Sequence, residues 1–156
     1  LLTQEQKDSI LLELLDRDEN FLSKIRENQF ADVERTNFRK PVSGVVSNEF
    51  NPAKGHFGID IVSSESTPVL ATLDGTIVLA TWSLNNGYVI QIQHSNNIIS
   101  VYKHNSELLK KEGDKVVAGE PIAFVGSTGV QSTGPHLHFE IWQDGASVNP
   151  QKFINF

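Results

Sequence analysis

Short runs of alternating apolar and polar residues follow one another from residue 41 to the C-terminus. Seven runs are rich in the β-branched and aromatic residues typical of strands: Val42–Ser47, Phe57–Val62, Thr76–Thr81, Tyr88–His94, Ile98–His104, Pro121–Val125 and Leu137–Gln143. Turn-forming stretches separate them: Asn85–Gly87, Ser95–Asn97, Glu112–Asp114 and Asp144–Gly145. This pattern predicts a mainly β, largely antiparallel domain, in which only Ser106–Lys111 forms a helical turn.

The first 38 residues follow a different pattern. Thr3 and Gln6 have the spacing of a capping box, in which each side chain binds the other residue's backbone N–H. Apolar residues then recur at near-helical spacing from Ile10 to Ile25, but the charged stretch Asp16–Glu19 interrupts them, so one bent helix or two short helices would fit. We therefore expect an N-terminal α-helical linker over residues 1–38, packed on the domain or continuing an upstream stalk, and a β domain over residues 39–156.

Composition narrows the chemistry that the chain can support. Its 156 residues are 38% hydrophobic, as expected for a globular domain, and the net charge of −6 argues against nucleic acid or an anionic membrane surface as a partner. Cysteine is absent, so a transition-metal site must use His, Asp and Glu. No apolar run approaches the roughly 20 residues of a membrane span. The chain begins at Leu1 and contains no methionine, which favours a fragment or processed form whose start lies upstream.

The strand near the C-terminus carries two histidines on one face. Successive side chains of a strand point to opposite faces, so His136, His138 and Glu140 lie above an apolar face formed by the residues between them. An H-x-H pair alone is a weak signal, since both imidazoles can simply be solvated. Glu140 is a candidate to orient His138.

A second polar pair precedes it in the chain. If residues 57–62 form a strand, His56, Gly58 and Asp60 share a face, Phe57 packs inward, and Gly58 leaves space for an ion. Alone, such a pair is more often a surface feature. Together with the H-x-H strand it supplies a set of nitrogen and oxygen ligands suited to zinc, with one position left open for water or substrate.

The remaining histidines carry no local sign of chemistry. His104 lies near a strand end and His94 precedes a turn, and both positions are by default structural. The glycine-containing stretch Glu112–Ile122 has neither the spacing of a P-loop nor that of a dinucleotide-binding loop. The G-x-S-x-G and H-E-x-x-H patterns are absent from the sequence.

A set of ordered motifs resembles a known family. The motifs are Pro41–Ser47 with Phe50, His56–Ile61, Pro68–Val69 with Ala71 and Asp74–Gly75, Tyr102–His104, Gly113–Asp114 with Gly119, Val125–Gly129, Ser132–Glu140 and Asn149–Pro150. From Pro41 onward the chain is similar to the lysostaphin/LytM-type zinc endopeptidases, which cut peptide cross-links in bacterial cell walls. The resemblance implies their open antiparallel β-barrel fold, a duplicated hybrid motif, over residues 39–156.

The resemblance also assigns roles. It implies that His56, Asp60 and His138 bind one zinc ion per chain, and that His104 and His136 are the catalytic histidines of a metal-activated water mechanism. Because some family members have lost these residues and activate other wall hydrolases, a non-catalytic wall-binding or activating module is the alternative, although this chain keeps all five.

Substrate and location follow from the same resemblance. Peptidoglycan peptides are the expected substrate, which implies a periplasmic, extracellular or cell-surface location and leaves open a membrane anchor upstream of this fragment. Two departures from the family pattern, Asn51–Gly55 and Asn105, are expected to lie in the substrate groove.

Overall fold

Ten β-strands and two short 3-10 helices lie within the residues that the computed structural model describes, which are 3–6, 37–129 and 134–156. The strands are β1 (Val45–Asn48), β2 (Ile59–Val62), β3 (Pro68–Leu70), β4 (Gly75–Ser83), β5 (Gly87–Gln93), β6 (Ile98–Leu108), β7 (Lys115–Val116), β8 (Pro121–Val125), β9 (His136–Gln143) and β10 (Ala146–Val148). The 3-10 helices are Pro52–Lys54 and Pro150–Lys152. Every strand pair is antiparallel, which confirms the predicted fold class.

The order of the strands brings the site-bearing segments together. Along the sheet the neighbours are β1, β2, β9, β6, β5, β4 and β7, while β8 pairs with β3 and with the end of β6, and β10 pairs with β9. The described residues from Phe38 onward form one compact unit. Because β9 lies between β2 and β6, side chains that are distant in sequence become neighbours on one face.

The alternation predicted for these strands is observed. Ile59 and Ile61 of β2, with Leu137 and Phe139 of β9, are fully buried in the core. Burying each such side chain contributes about 1.5–3 kcal/mol, so the apolar face fixes both strands firmly. The polar residues between them are thereby held on the opposite face.

A buried polar chain in the core accounts for His94. The Tyr102 hydroxyl accepts a hydrogen bond from the backbone N–H of Thr72 at 3.0 Å and lies 2.8 Å from Ser100 Oγ, which is 2.7 Å from His94 Nε2. His94 Nδ1 donates to the backbone oxygen of Asp74 at 2.7 Å. These contacts confirm the structural interpretation of His94, and burial raises the pKa of the Tyr102 hydroxyl well above its usual value.

The helical turn predicted at Ser106–Lys111 is wrong. Strand β6 continues to Leu108. Its last residues pair with β8, with Asn105 opposite Val125 and Leu108 opposite Ala123. The hydrogen-bonding partner β8, which comes later in the chain, overrides the local preference.

At the N-terminus, the predicted capping box is confirmed. The Thr3 backbone N–H donates to Gln6 Oε1 at 2.9 Å, and the Gln6 N–H donates to Thr3 Oγ1 at 3.1 Å. The remainder of the predicted helical segment, residues 7–36, lies outside the described residues, as do Ser132 and Thr133 of the H-x-H motif region. In the stretches that are described, no helix is both long and apolar enough to cross a membrane.

Candidate metal centre

One row of side chains crosses three adjacent strands. Asp60 of β2 lies directly opposite His138 of β9, and Lys103 of β6 lies opposite His138 on the other side. Asn48 of β1 extends the row beyond Asp60. His56 reaches the row from just before β2, where it forms an isolated bridge with Asn51. The register of the sheet therefore brings Asp60 and His138, which are far apart in sequence, side by side in one row.

The structure brings His56, Asp60 and His138 together. One potential ligand atom from each lies within 4.8 Å of the other two, close enough for all three to contact one ion. His56 Nε2 is 3.2 Å from Asp60 Oδ2, and His138 Nδ1 is 2.8 Å from Asp60 Oδ1. The imidazole rings of His56 and His138 meet edge to face at 5.1 Å.

The hydrogen bonds of His56 indicate which nitrogen would bind a metal. Its Nδ1 donates to the backbone oxygen of Glu49 at 2.7 Å, which leaves Nε2 as the atom with a free electron pair in the neutral ring. That Nε2 is buried, faces Asp60 Oδ2 and has no hydrogen-bond partner among the described residues. A cation between them, whether a proton or a metal ion, would remove the repulsion between the two electron pairs. The residues therefore fit a zinc ion, which prefers nitrogen and carboxylate ligands.

His138 lies between two carboxylates. Its Nδ1 faces Asp60, while its Nε2 donates to Glu140 Oε2 at 2.7 Å. In the metal-free protein burial lowers the pKa of His138, but the hydrogen bonds and charges of the two carboxylates outweigh burial and raise it. A metal ion would replace the proton on Nδ1 and leave the hydrogen bond from Nε2 unchanged.

Both carboxylates stay ionised. Burial works to raise the pKa of Asp60, but the hydrogen bond and positive charge of His138 outweigh it and hold that pKa below its usual value. Burial also works to raise the pKa of Glu140. Contacts with His138, Lys103 and Trp142 outweigh this effect and lower that pKa to about 2. The contact predicted between Glu140 and His138 is present.

His104 and His136 complete the cluster, with ring centres 4.9 Å apart. His104 Nδ1 lies 2.8 Å from the backbone oxygen of Thr128, and His136 Nδ1 lies 2.8 Å from that of Gly134. A carbonyl can only accept, so each ring donates through Nδ1 and keeps Nε2 as a proton acceptor. Burial lowers the pKa of His104, which keeps this imidazole neutral near pH 7.

The backbone of His104 is strained, as is common at functional sites. Its φ of +68° lies in the left-handed region, which a non-glycine residue adopts at a cost of order 1–3 kcal/mol. Its backbone N–H donates to the oxygen of Asn86 at 2.9 Å, in the turn between β4 and β5.

A cavity of about 310 Å³ lies over these side chains. It is lined by Asn48, Gly55, His56, Phe57, Asp60, Asn86, Lys103, His104, His136, His138 and Glu140. The sequence did not identify Asn48, Asn86 or Lys103 as cavity residues. Asn48 and Lys103 reach the cavity because of the strand register, and Asn86 because it lies in the turn between β4 and β5. Alternation from the buried Tyr102 places Lys103 on the polar face of β6, although the same rule would have placed His104 on the buried face.

Three local expectations are corrected. Phe57 does not pack inward: it precedes β2, is 42% exposed and lies at the cavity beside Trp142, with ring centres 6.3 Å apart. The space above Gly58 is not free for an ion, because strand β9 and Glu140 occupy it. Asn105 lies outside the groove: it is buried, and its amide donates to the backbone oxygens of Tyr88 and Tyr102. Of Asn51–Gly55, Gly55 lines the cavity.

Comparisons with known proteins identify the family of this chain. The sequence profile of peptidase family M23 matches residues 54–150. The murein hydrolase activator NlpD of Escherichia coli is 41% identical over 119 residues, covering 75% of this chain and 31% of NlpD. The peptidoglycan DD-endopeptidase ShyC of Vibrio cholerae is 37% identical over 115 residues, covering 68% of this chain and 26% of ShyC. The chain thus spans about a third or less of the length of these relatives.

Solved structures share the fold. A zinc-containing peptidase from Vibrio cholerae superposes with a TM-score of 0.67 at 31% identity, covering 73% of this chain and 39% of that one. The catalytic domain of lysostaphin from Staphylococcus simulans superposes with a TM-score of 0.59 at 34% identity, covering 75% of this chain and 92% of that domain.

Proposed function

The chain belongs to peptidase family M23, and from this premise we propose that residues 39–156 form a zinc-dependent endopeptidase domain that hydrolyses peptide cross-links of bacterial peptidoglycan. His56, Asp60 and His138 hold one zinc ion per chain, and His104 and His136 are the catalytic histidines. The observation that carries the proposal is the buried Nε2 of His56, which faces Asp60 Oδ2 at 3.2 Å without a hydrogen bond, with two further imidazoles nearby.

The chemistry divides between the ion and the chain. When bound, zinc supplies a Lewis acid that polarises a carbonyl and lowers the pKa of a bound water towards about 7. The chain contributes proton transfer: the Nε2 atoms of His104 and His136 can take a proton from the attacking water and return one to the leaving amine. Imidazole side chains exchange protons near neutral pH, which suits both steps.

Hydrogen bonds to the backbone fix the direction of this proton transfer. Because Nδ1 of each catalytic imidazole is held by a carbonyl, rotation of the ring would cost a hydrogen bond, so Nε2 stays directed away from that carbonyl. His136 Nε2 lies 3.7 Å from Asp60 Oδ1, which places it beside the proposed ligands. Positioned acid–base groups of this kind contribute about 10²–10⁴-fold to rate.

The relatives support the substrate class. ShyC is named a peptidoglycan DD-endopeptidase, and NlpD and EnvC of Escherichia coli are named murein hydrolase activators. Peptidoglycan peptides are therefore the substrate that we propose, with action outside the cytoplasm, in the periplasm or at the cell surface.

Digestion of purified peptidoglycan tests this function. Zinc-loaded protein should release new amino termini, and a chelator should stop the release. Asp60→Ala should be inactive because one ligand is lost, whereas Glu112→Ala, which changes an exposed turn residue, should match the unmodified chain. Mass spectrometry of the products identifies the bond that is cut. Release that is insensitive to chelator and to Asp60→Ala would contradict the proposal.

A second candidate function rests on the names of NlpD and EnvC. In this alternative the domain binds the wall, or activates another hydrolase, without cutting peptides itself. It predicts no release of amino termini by the zinc-loaded chain alone, and chelator-insensitive stimulation when a separate wall hydrolase is added. Chelator-sensitive release by the chain alone distinguishes the endopeptidase from this alternative.

A further inference from the structure

Three polar side chains follow one another along the same face of β9. His138, Glu140 and Trp142 alternate with buried apolar residues, so all three project on the side of the candidate metal centre. Hydrogen bonds join them: His138 Nε2 donates to Glu140 Oε2 at 2.7 Å, and Trp142 Nε1 donates to Glu140 Oε1 at 2.8 Å. From this chain of contacts we infer that Trp142 is a positioning residue, which acts through Glu140 to fix the imidazole of His138 for metal binding.

Both carboxylate oxygens of Glu140 have hydrogen-bond donors. Glu140 is 6% exposed, and each of the two donors is a ring N–H. Lys103 adds an ion pair to Oε2 at 3.3 Å. A buried carboxylate is costly unless it is fully hydrogen-bonded, so these partners allow a charge to be buried beside His138.

Gly58 gives Glu140 the room to occupy this position. A Cβ at residue 58 would lie 2.7 Å from Glu140 Cγ and 2.3 Å from the backbone oxygen of Phe139. Glycine therefore lets strand β9 and the Glu140 side chain approach the segment that carries His56 and Asp60. The segment that carries the proposed ligands His56 and Asp60 is therefore packed directly against Glu140, which contacts His138.

The indole N–H sets which way the carboxylate faces. With Oε1 held by Trp142, Oε2 is directed at His138 Nε2, which must then carry the proton. His138 Nδ1 is left with its electron pair facing Asp60 and the proposed ion. Outer partners of this kind typically change metal affinity by 10- to 100-fold. Without the Trp142 N–H, Glu140 Oε1 loses its donor, so the carboxylate and the imidazole that it contacts are less firmly oriented.

A double-mutant cycle on zinc affinity tests the inference, which rests on the proposed metal site. Zinc dissociation constants are measured by chelator competition for the intact chain, Trp142→Phe, Glu140→Ala and the double variant. Phenylalanine keeps an aromatic ring beside Phe57 and removes the N–H donor together with the second ring of the indole. We expect Glu140→Ala to weaken zinc binding by about 10- to 100-fold. Trp142→Phe should cause a smaller loss, which disappears in the Glu140→Ala background.

A spectroscopic readout and a matched control complete the test. The visible spectrum of the cobalt(II)-substituted protein should change in Trp142→Phe and Glu140→Ala, but not in Glu120→Gln, which breaks an ion pair with Lys110 elsewhere on the surface. Equal losses from Trp142→Phe in both backgrounds, or none in either, would overturn the inference while leaving the metal site intact. Failure of the unmodified chain to bind zinc would overturn the proposed function as well.

Discussion

Replacing Gly58 with alanine should weaken zinc binding as well as the fold. The new Cβ would lie 2.3 Å from the oxygen of Phe139, whereas ordinary contacts begin at 3.4 Å, so the strand that carries His138 must retreat by about 1 Å. The ligand atoms of Asp60 and His138 are 2.8 Å apart, and sites of this kind tolerate displacements of only about 0.5 Å.

A control variant separates the effect on the free energy of unfolding from the effect on zinc affinity. Overpacking of this kind costs about 1–3 kcal/mol in the free energy of unfolding. Gly119→Ala should cost a similar amount, about 1–2 kcal/mol, because its φ of +84° is unfavourable for alanine, although a Cβ there meets nothing within 4 Å. Gly119 is not among the residues that line the cavity, so the zinc affinity of Gly119→Ala should stay unchanged.

Denaturant unfolding of the metal-free proteins and zinc competition titrations measure the two quantities independently. We expect both variants to lose stability, and only Gly58→Ala to lose zinc affinity, by at least about tenfold. A Gly58→Ala protein that bound zinc as tightly as the unmodified chain would refute the link between close strand packing and the metal centre.

Three further outcomes follow from the same geometry. His104→Ala should retain one zinc per chain and lose about 10²–10⁴-fold in hydrolysis rate, checked by metal content beside a digestion assay; loss of the metal would contradict its catalytic assignment. The pKa of Glu140 is about 2 in the folded protein against 4.5 for an ordinary glutamate, so its ionised form stabilises the fold. This stabilisation is fully present above about pH 4.5 and is lost as the pH falls towards 2. The metal-free chain should therefore lose on the order of 3 kcal/mol of unfolding free energy over that range, and Glu140→Gln less; equal slopes would be contrary to this assignment. Tyr102→Phe should cost about 1–3 kcal/mol, because it leaves the Thr72 N–H unpaired in the core, with zinc affinity unchanged; a variant as stable as the unmodified chain would disagree.

Much of the fold follows from the period of two in the sequence. Alternation in residues 59–62 and 136–143 correctly separates the core residues from the polar face, because each strand has one buried side. The sequence also identifies the five residues of the cluster, through the family motifs that contain them. Their convergence depends on the register that places Asp60 opposite His138, which no single strand specifies.

Two of the errors have the same physical cause, which is contact with a strand distant in sequence. Ser106–Leu108 extend β6 because β8 pairs with them, although the local pattern indicated a helical turn. Gly58 accommodates β9 and Glu140, although its own neighbours suggested room for an ion. Phe57 lies before the start of β2, so the alternation that buries Ile59 does not extend to it.

Anomalous scattering from zinc-soaked crystals, measured on both sides of the zinc absorption edge, shows whether His56, Asp60 and His138 bind one zinc ion. We expect one strong peak per chain, at about 2.0–2.2 Å from His56 Nε2, an Asp60 carboxylate oxygen and His138 Nδ1. No peak at this position, or a peak bound by other residues while His56 and Asp60 remain in contact with each other alone, would contradict the proposed zinc site.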